Sequence, residues 1–228
     1  KIAVSNTPGV LTDTTADLAM ALILAVARRI VESDIYARAE KYMGWDPLLF
    51  MGSDVHHKTL GILGFGRVGQ ALAKRAAGFD MNILYHNRNR IDPEIEEEIG
   101  ATYVDQETLL KTSDYVSIHV PLTPETTGLI DSKALTLMKP SAFIINTARG
   151  EIIREAELVK ALAEKKIAGA GLDVFEHEPK IHPGLLKMDN VVILPHIGSA
   201  SMETRTKMGL MAAENLIARF KDEVPPNC

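Results

Sequence analysis

Three polar segments follow directly on apolar runs, and each carries a side chain with its own chemistry. Asn146-Thr147-Ala148-Arg149-Gly150 brings a guanidinium, Leu172-Asp173-Val174-Phe175-Glu176-His177-Glu178-Pro179 brings carboxylates, and Pro195-His196-Ile197-Gly198-Ser199 brings an imidazole. Imidazole has the ordinary pKa nearest neutrality, so His196 is the natural acid or base for a proton moved at oxygen. A carboxylate on an imidazole's second nitrogen would fix the tautomer and favour the protonated form, and Glu176 and Glu178 compete for that place. Arginine's planar fork, as at Arg149, matches a carboxylate and can polarise a carbonyl. Taken singly, the three also read as a structural histidine, a loop carboxylate and a surface charge.

A different chemistry is written in Gly64-Phe65-Gly66-Arg67-Val68-Gly69, a G-x-G-x-x-G set between the strand pattern Thr59-Leu63 and a helix starting near Arg67. The first glycine serves a tight turn, the second lets backbone N–H groups approach a pyrophosphate, and the third lets helix and strand pack closely. The helix N-terminus then supplies partial positive charge and free donors, so Gly64, Gly66, Arg67, Val68 and Gly69 form a dinucleotide cradle. Ribose selection should fall about 20 residues later, where an NAD site offers a carboxylate. This chain reads Tyr85-His86-Asn87-Arg88-Asn89-Arg90 there, with no acid before Asp92. Arg88 and Arg90 could hold a 2′-phosphate by charge-assisted hydrogen bonds, which predicts NADP(H) in preference to NAD(H), with NAD(H) still open; a solvated turn is the competing reading.

These residues need a frame. Strands read at Thr59-Leu63, Asn82-Tyr85, Ala101-Val104, Tyr115-Val120, Ala142-Asn146, Ala168-Val174 and Val191-Leu194. Helices read between most of them, at Arg67-Ala77, Glu94-Ile99, Gln106-Lys111, Ser132-Met138, Glu155-Lys165 and Met202-Lys221. Ahead of them, a helix capped by Thr12 or Asp13, with Leu18, Leu22, Val26 and Ile30 at four-residue spacing, is expected to run to about Arg38. Alternating elements imply parallel crossovers, and near-continuous apolar strands imply a sheet covered on both faces: an α/β, doubly wound parallel sheet of Rossmann type. Ligands of such sheets bind outside the carboxyl ends of the strands, where Arg149, Glu178 and His196 all fall.

Composition narrows the field. The 228 residues carry 25 Lys and Arg against 30 Asp and Glu, net −5, a poor match for nucleic acid. The 46% apolar and 24% charged fractions are those of an ordinary globule. One cysteine, Cys228, allows no internal disulfide and no thiolate metal site, and fits the cytoplasm. The apolar stretch Leu18 to Ala27 is too short to span a membrane, so no membrane partner is expected. No metal site is expected, and His177 and His182 lack a ligand set. The nine methionines read as core filling.

The ordered segments Asn6 to Asp13, Gly61 to Gly69, Asn146 to Gly150, Gly171 to Pro179 and Pro195 to Ser199 resemble the D-isomer-specific 2-hydroxyacid dehydrogenases, nearest their glyoxylate/hydroxypyruvate reductase branch. The resemblance implies hydride transfer from a nicotinamide to a 2-keto acid, giving the D-2-hydroxy acid. It implies that Arg149 binds the substrate's carboxylate and keto oxygen, that His196 is the acid/base, and that Glu178 pairs with it. Asp173 would lie beside the nicotinamide, and Val120 and Pro121 would form an apolar wall beside the adenosine, an ordinary proline-bounded turn being nearly as good a reading. Thr12, Asn87, Thr147, Ala148, His196 and Gly198 would complete the dinucleotide contacts. Phosphoglycerate, formate and phosphite dehydrogenases share the scaffold, and a dinucleotide-sensing corepressor is the alternative outside enzymes, although it would not require the three polar residues together.

The resemblance also implies a second, smaller α/β substrate domain, of which residues 1–9 and 202–228 would be remnants beside a dinucleotide-binding domain at 10–201. A family segment ahead of Asn6 is absent from this sequence, and Lys1 is an unusual start. The expectation is an internal piece of a longer protein that binds the dinucleotide with little turnover. The long first helix suggests a homodimer. Trp45 would either shape a neighbouring subunit's site or pack in the core. Arg154 stands where relatives carry a capping Asp, so the helix after it should start late or fray.

Overall fold

Strand and helix patterns alternate from Thr59 onward, and the computed structural model, which describes residues 2–228, turns that alternation into one sheet. The helices are α1 (Thr12–Ala27), α2 (Ile30–Arg38), α3 (Arg67–Ala77), α4 (Pro93–Ile99), α5 (Gln106–Thr112), α6 (Ser132–Leu137), α7 (Glu155–Ala163) and α8 (Met202–Phe220). The strands are β1 (Thr59–Leu63), β2 (Asn82–His86), β3 (Ala101–Tyr103), β4 (Tyr115–Ile118), β5 (Phe143–Asn146), β6 (Gly169–Leu172) and β7 (Val191–Ile193). They lie in the order β3-β2-β1-β4-β5-β6-β7, and every pairing is parallel. The order reverses between β1 and β4, the crevice where a doubly wound sheet takes its ligand.

Period-two alternation sends neighbouring strand residues to opposite faces. Leu60, Ile62, Tyr115, Phe143 and Ile145 join one apolar cluster with α1 and α3, while Leu63, Val116, Ile118 and Ile144 join a second with α5, α6 and α7. Both faces are covered, which is why these strands are apolar nearly throughout, the buried Ser117 of β4 and Asn146 of β5 being exceptions.

The first helix departs from its expected length. Four-residue spacing continues through Ile30, but the helix breaks at Arg29, which adopts φ 53, and α2 buries none of its residues. The break follows the body of the protein: α1 packs on the sheet through Ala19, Leu22, Ile23 and Val26, whereas Ile30 projects beyond the sheet and stays exposed. Nor does Thr12 or Asp13 cap α1; Leu11 occupies that position without a side-chain bond. Trp45 is 84% exposed in a segment without regular structure, so it packs in no core. The methionines divide: Met20, Met81 and Met138 are buried, while Met43, Met51 and Met202 face out.

The two ends of the chain meet. Asn215 of α8, buried, donates from Nδ2 to the Asn6 carbonyl at 3.4 Å and accepts from the Asn227 amide at 3.1 Å, and the Asn6 amide donates to the Asn227 carbonyl at 3.2 Å. Among the described residues no helix is long and apolar enough to cross a membrane, and no group of three or more His, Cys, Asp or Glu is placed to hold a metal.

Candidate active site

The strand register sets the site. Asn146 at the end of β5 pairs with Leu172 of β6, which pairs with Ile193 of β7, so the segments carrying Arg149, Glu178 and His196 leave adjacent strands at one edge. His196 Nδ1 lies 2.9 Å from Glu178 Oε2 and donates to it, leaving Nε2 without a protein partner among the described residues. The backbone places the imidazole unusually: His196 has φ 55, a conformation that side-chain-bearing residues rarely adopt without outside support. Asp173 supplies the support. Its buried carboxylate accepts from the Ile197 and Gly198 amides, each at 2.8 Å, and Thr15 Oγ1 of α1 donates to the Gly198 carbonyl at 3.2 Å. Burial pushes the Asp173 carboxyl above its ordinary pKa, with the two amides opposing.

Glu178 and Glu176 have separate duties. Glu178 also accepts from the Phe175 amide at 3.1 Å; burial pushes its carboxyl up, but the His196 bond, that amide and the charges of His196 and Arg149 outweigh it, leaving it below the usual glutamate range. Glu176 Oε2 instead accepts from the Glu155 amide at 3.0 Å, and Glu155 Oε1 accepts from the Glu176 amide at 2.7 Å. Glu176 thereby caps α7 from a distant loop. This is why α7 starts at Glu155 without fraying although Arg154 offers no cap; Arg154 reaches back to Glu176 at 3.5 Å.

Asn146 shapes the guanidinium's turn, accepting from the Ala148 amide at 3.0 Å and donating to the Arg149 carbonyl at 2.9 Å. In the sequence Asn146 is only the end of a strand pattern; the signal for its second role is an amide closing a buried apolar strand just before a turn. Arg149 Nη1 donates to the Ala148 carbonyl at 2.6 Å, and its exposed guanidinium acts on Glu178. The Arg149 and Glu178 loops touch at Gly150, whose backbone lies flat against Phe175.

The glycine loop is built to receive an anion. Gly64 has φ +95 and lies against the His119–Val120 backbone, so the segment that leaves β4 closes one wall, while a Cβ on Gly69 would strike the Gly64 carbonyl at 2.4 Å. A Cβ on Gly66 would point into open space, which leaves that side of the cradle free. Asp92, Asp105, Asp131 and Ser201 cap α4, α5, α6 and α8, but α3 has no side-chain cap, so its first amides are available to phosphate. At the Arg149 turn, Thr147 Oγ1 is buried and is the one such side-chain atom without a partner among the described residues. These features fit a dinucleotide.

Two expected cofactor residues have protein partners. Asn87 accepts through Oδ1 from the Phe65 amide at 2.6 Å, holding the glycine loop to the end of β2. Arg90 donates from Nε at 2.8 Å and Nη2 at 2.6 Å to Glu96, so that edge of its fork is closed to a 2′-phosphate. Arg88 is exposed and makes no ion pair among the described residues.

A family model for the NAD binding domain of D-isomer specific 2-hydroxyacid dehydrogenases matches residues 20–198. The glyoxylate reductase of Thermococcus litoralis is 60% identical over 230 residues, which take in 99% of this chain and 69% of that protein. Among solved structures, a protein from Thermus thermophilus superposes with a TM-score of 0.93 at 46% identity, over 99% of this chain and 71% of that one. An NADPH-dependent glyoxylate/hydroxypyruvate reductase from Sinorhizobium meliloti, in complex with NADP and malonate, gives 0.91 at 35% identity, over 99% and 70%. A parallel sheet with an open glycine loop and an imidazole–carboxylate pair at its carboxyl edge defines the class: an NAD(P)-dependent dehydrogenase. This chain belongs to the D-isomer-specific 2-hydroxyacid dehydrogenases.

Proposed function

We propose that the enzyme reduces a small 2-keto acid, glyoxylate or hydroxypyruvate, to the 2-hydroxy acid, of D configuration where the product is chiral, with NADPH preferred to NADH. The observation that carries the reading is the His196 Nδ1–Glu178 Oε2 hydrogen bond of 2.9 Å, which leaves Nε2 free at the sheet's carboxyl edge. Relatives named glyoxylate reductase at 50 to 60% identity support the choice of substrate.

A bound nicotinamide dinucleotide supplies the hydride. Gly64, Gly66, Arg67, Val68 and Gly69 hold the pyrophosphate through backbone donors. Thr12, Val120, Pro121, Thr147, Ala148, Asp173 and Gly198 line the remaining groove. Arg149 pairs with the substrate carboxylate and draws electron density toward the keto oxygen. As the carbonyl's electron pair moves onto that oxygen, His196 gives it the Nε2 proton, and Glu178 stabilises the imidazolium beforehand.

Arg88, the arginine of the β2 tip without an ion pair, reads the 2′-phosphate. Arg88→Ala is expected to weaken NADPH about 10- to 100-fold, the worth of one charge-assisted hydrogen-bond set, and to leave NADH within about threefold. Comparing kcat/KM for the two cofactors in both proteins checks this; equal or NADH-favouring values in the unaltered enzyme would overturn the NADPH preference.

The enzyme acts as a homodimer. Tyr42, Met43, Trp45 and Leu48 are exposed, and the exposed Met51 lines a cavity of about 570 Å³ between the α1–α2 junction and the starts of β5 to β7. One chain thus carries both an exposed apolar segment and a recess that is apolar in part, a pair that a twofold contact could bring together. Light scattering after size exclusion is expected to give twice the chain mass, with Trp45→Glu shifting it toward monomer; a monomeric unaltered protein would refute the dimer. The cytoplasm suits a chain whose single cysteine, Cys228, is exposed and unpaired.

A further inference from the structure

We propose that Glu96 is a specificity-determining residue, which binds Arg90 and so limits the enzyme's discrimination for the 2′-phosphate to what Arg88 alone provides. The proposal rests on the dinucleotide reading above and deepens it.

Glu96 is an unusual residue for its place. It sits on α4 among Glu94, Glu97 and Glu98, which are exposed, yet its own side chain is only 8% exposed. Its two oxygens are spoken for. Oε1 accepts from Arg90 Nε and from the Tyr85 hydroxyl, and Oε2 accepts from Arg90 Nη2. Tyr85 is fully buried; its hydroxyl accepts in turn from the Ile91 amide at 3.1 Å, and its ring stacks on Phe65 of the glycine loop with centroids 4.4 Å apart. The clamp is therefore rooted in the core and in the cofactor loop. It holds its charge firmly: the bonds from Arg90 and then Tyr85 pull the Glu96 carboxyl down to about 2.

A guanidinium bonded edge-on to a carboxylate presents a dipole rather than a net charge to a third group, and a dipole's pull fades faster with distance. The two arginines of the β2 tip are thus unequal. Arg90 is neutralised at the 2.6 Å contact, and its guanidinium carbon lies 6.0 Å from the Tyr103 ring centroid. Arg88 has no such partner, and Glu125, whose carboxyl is held low first by Thr123, is the acid its charge acts on. Glu96 thus leaves the 2′-phosphate one free positive charge, that of Arg88, where the sequence offers two.

The test is calorimetric titration of this chain with adenosine 2′,5′-bisphosphate and with 5′-AMP, which differ only in the 2′-phosphate. Glu96→Gln is expected to tighten the bisphosphate about fivefold, the upper end of an exposed ion pair's worth, and to leave 5′-AMP unchanged. The gain should vanish in Arg90→Leu/Glu96→Leu, an apolar replacement of the pair that keeps the site folded if the single variant does not. That double variant should stay within about threefold of the unaltered chain for both nucleotides. An unchanged or weakened bisphosphate in Glu96→Gln, or a tenfold loss in the double variant, would overturn the proposal alone. An unaltered chain that fails to prefer the bisphosphate would overturn the NADPH reading, and this inference with it.

Discussion

Replacing His196 by alanine, in the enzyme at the full length of its relatives, of which this chain takes in 69%, is expected to lower kcat for 2-keto acid reduction by about a thousandfold, within the range that general acid–base groups contribute, while the dinucleotide dissociation constant moves less than about threefold. The two effects separate because His196 serves different atoms from the cradle. Its Nδ1 is taken by Glu178 and its Nε2 is the only ring donor left for a substrate oxygen, whereas phosphate is held by the uncapped start of α3. The loss should persist across the neutral range. Glu178, held below the ordinary glutamate value of 4.5, stays ionised there. For a carboxyl with a depressed folded-state pKa, the stabilisation is present above the unfolded value and disappears only as pH falls through the lowered one. Steady-state kinetics beside a fluorescence titration of dinucleotide would decide the matter: turnover kept within tenfold would remove His196 from the chemistry.

The frame of this site could be read from the sequence because it rests on local periodicity. Strand β1 and helix α3 fall where the apolar run Thr59-Leu63 and the glycine spacing put them, since a buried parallel strand and a phosphate loop are specified by neighbouring residues. What could not be read depends on partners far apart in the chain. Glu176 and Glu178 are equivalent in type and two residues apart. Only the fold shows that one meets Glu155, across 21 positions, and the other His196, across 18. Arg88 and Arg90 are likewise indistinguishable as types, and the difference between them is Glu96 turning inward from an acidic helix. The end of α1 escaped for another reason: the four-residue spacing continues past the point where the sheet stops, so periodicity persists where there is nothing left to bury.

The second large effect is expected at a residue with no functional group. Gly150 has ordinary backbone angles, so its requirement is space rather than conformation: a Cβ there would lie 1.9 Å from the Phe175 carbonyl carbon, 2.0 Å from its oxygen and 2.5 Å from the Glu176 amide nitrogen. All three are backbone atoms, and no rotamer change can relieve them. In Gly150→Ala one loop has to move. Moving the first shifts Arg149, one position upstream and held through Asn146. Moving the second disturbs the Phe175 amide that holds Glu178 and the Glu155–Glu176 exchange that caps α7. Either way the guanidinium and the imidazole's carboxylate change their separation. Overpacking of this kind costs about 1–3 kcal/mol, or roughly 2–12 °C of melting temperature at this chain length. A displacement near 1 Å costs on the order of a hundredfold in turnover. The phosphate cradle lies elsewhere on the edge, so dinucleotide affinity should fall less than turnover, through Thr147 and Ala148 of the displaced turn alone. Calorimetric melting, kinetics and nucleotide titration of the one variant would show all three. An unchanged melting temperature with full turnover would mean that the two loops are not held against each other, and that the meeting of Arg149 and Glu178 needs another cause.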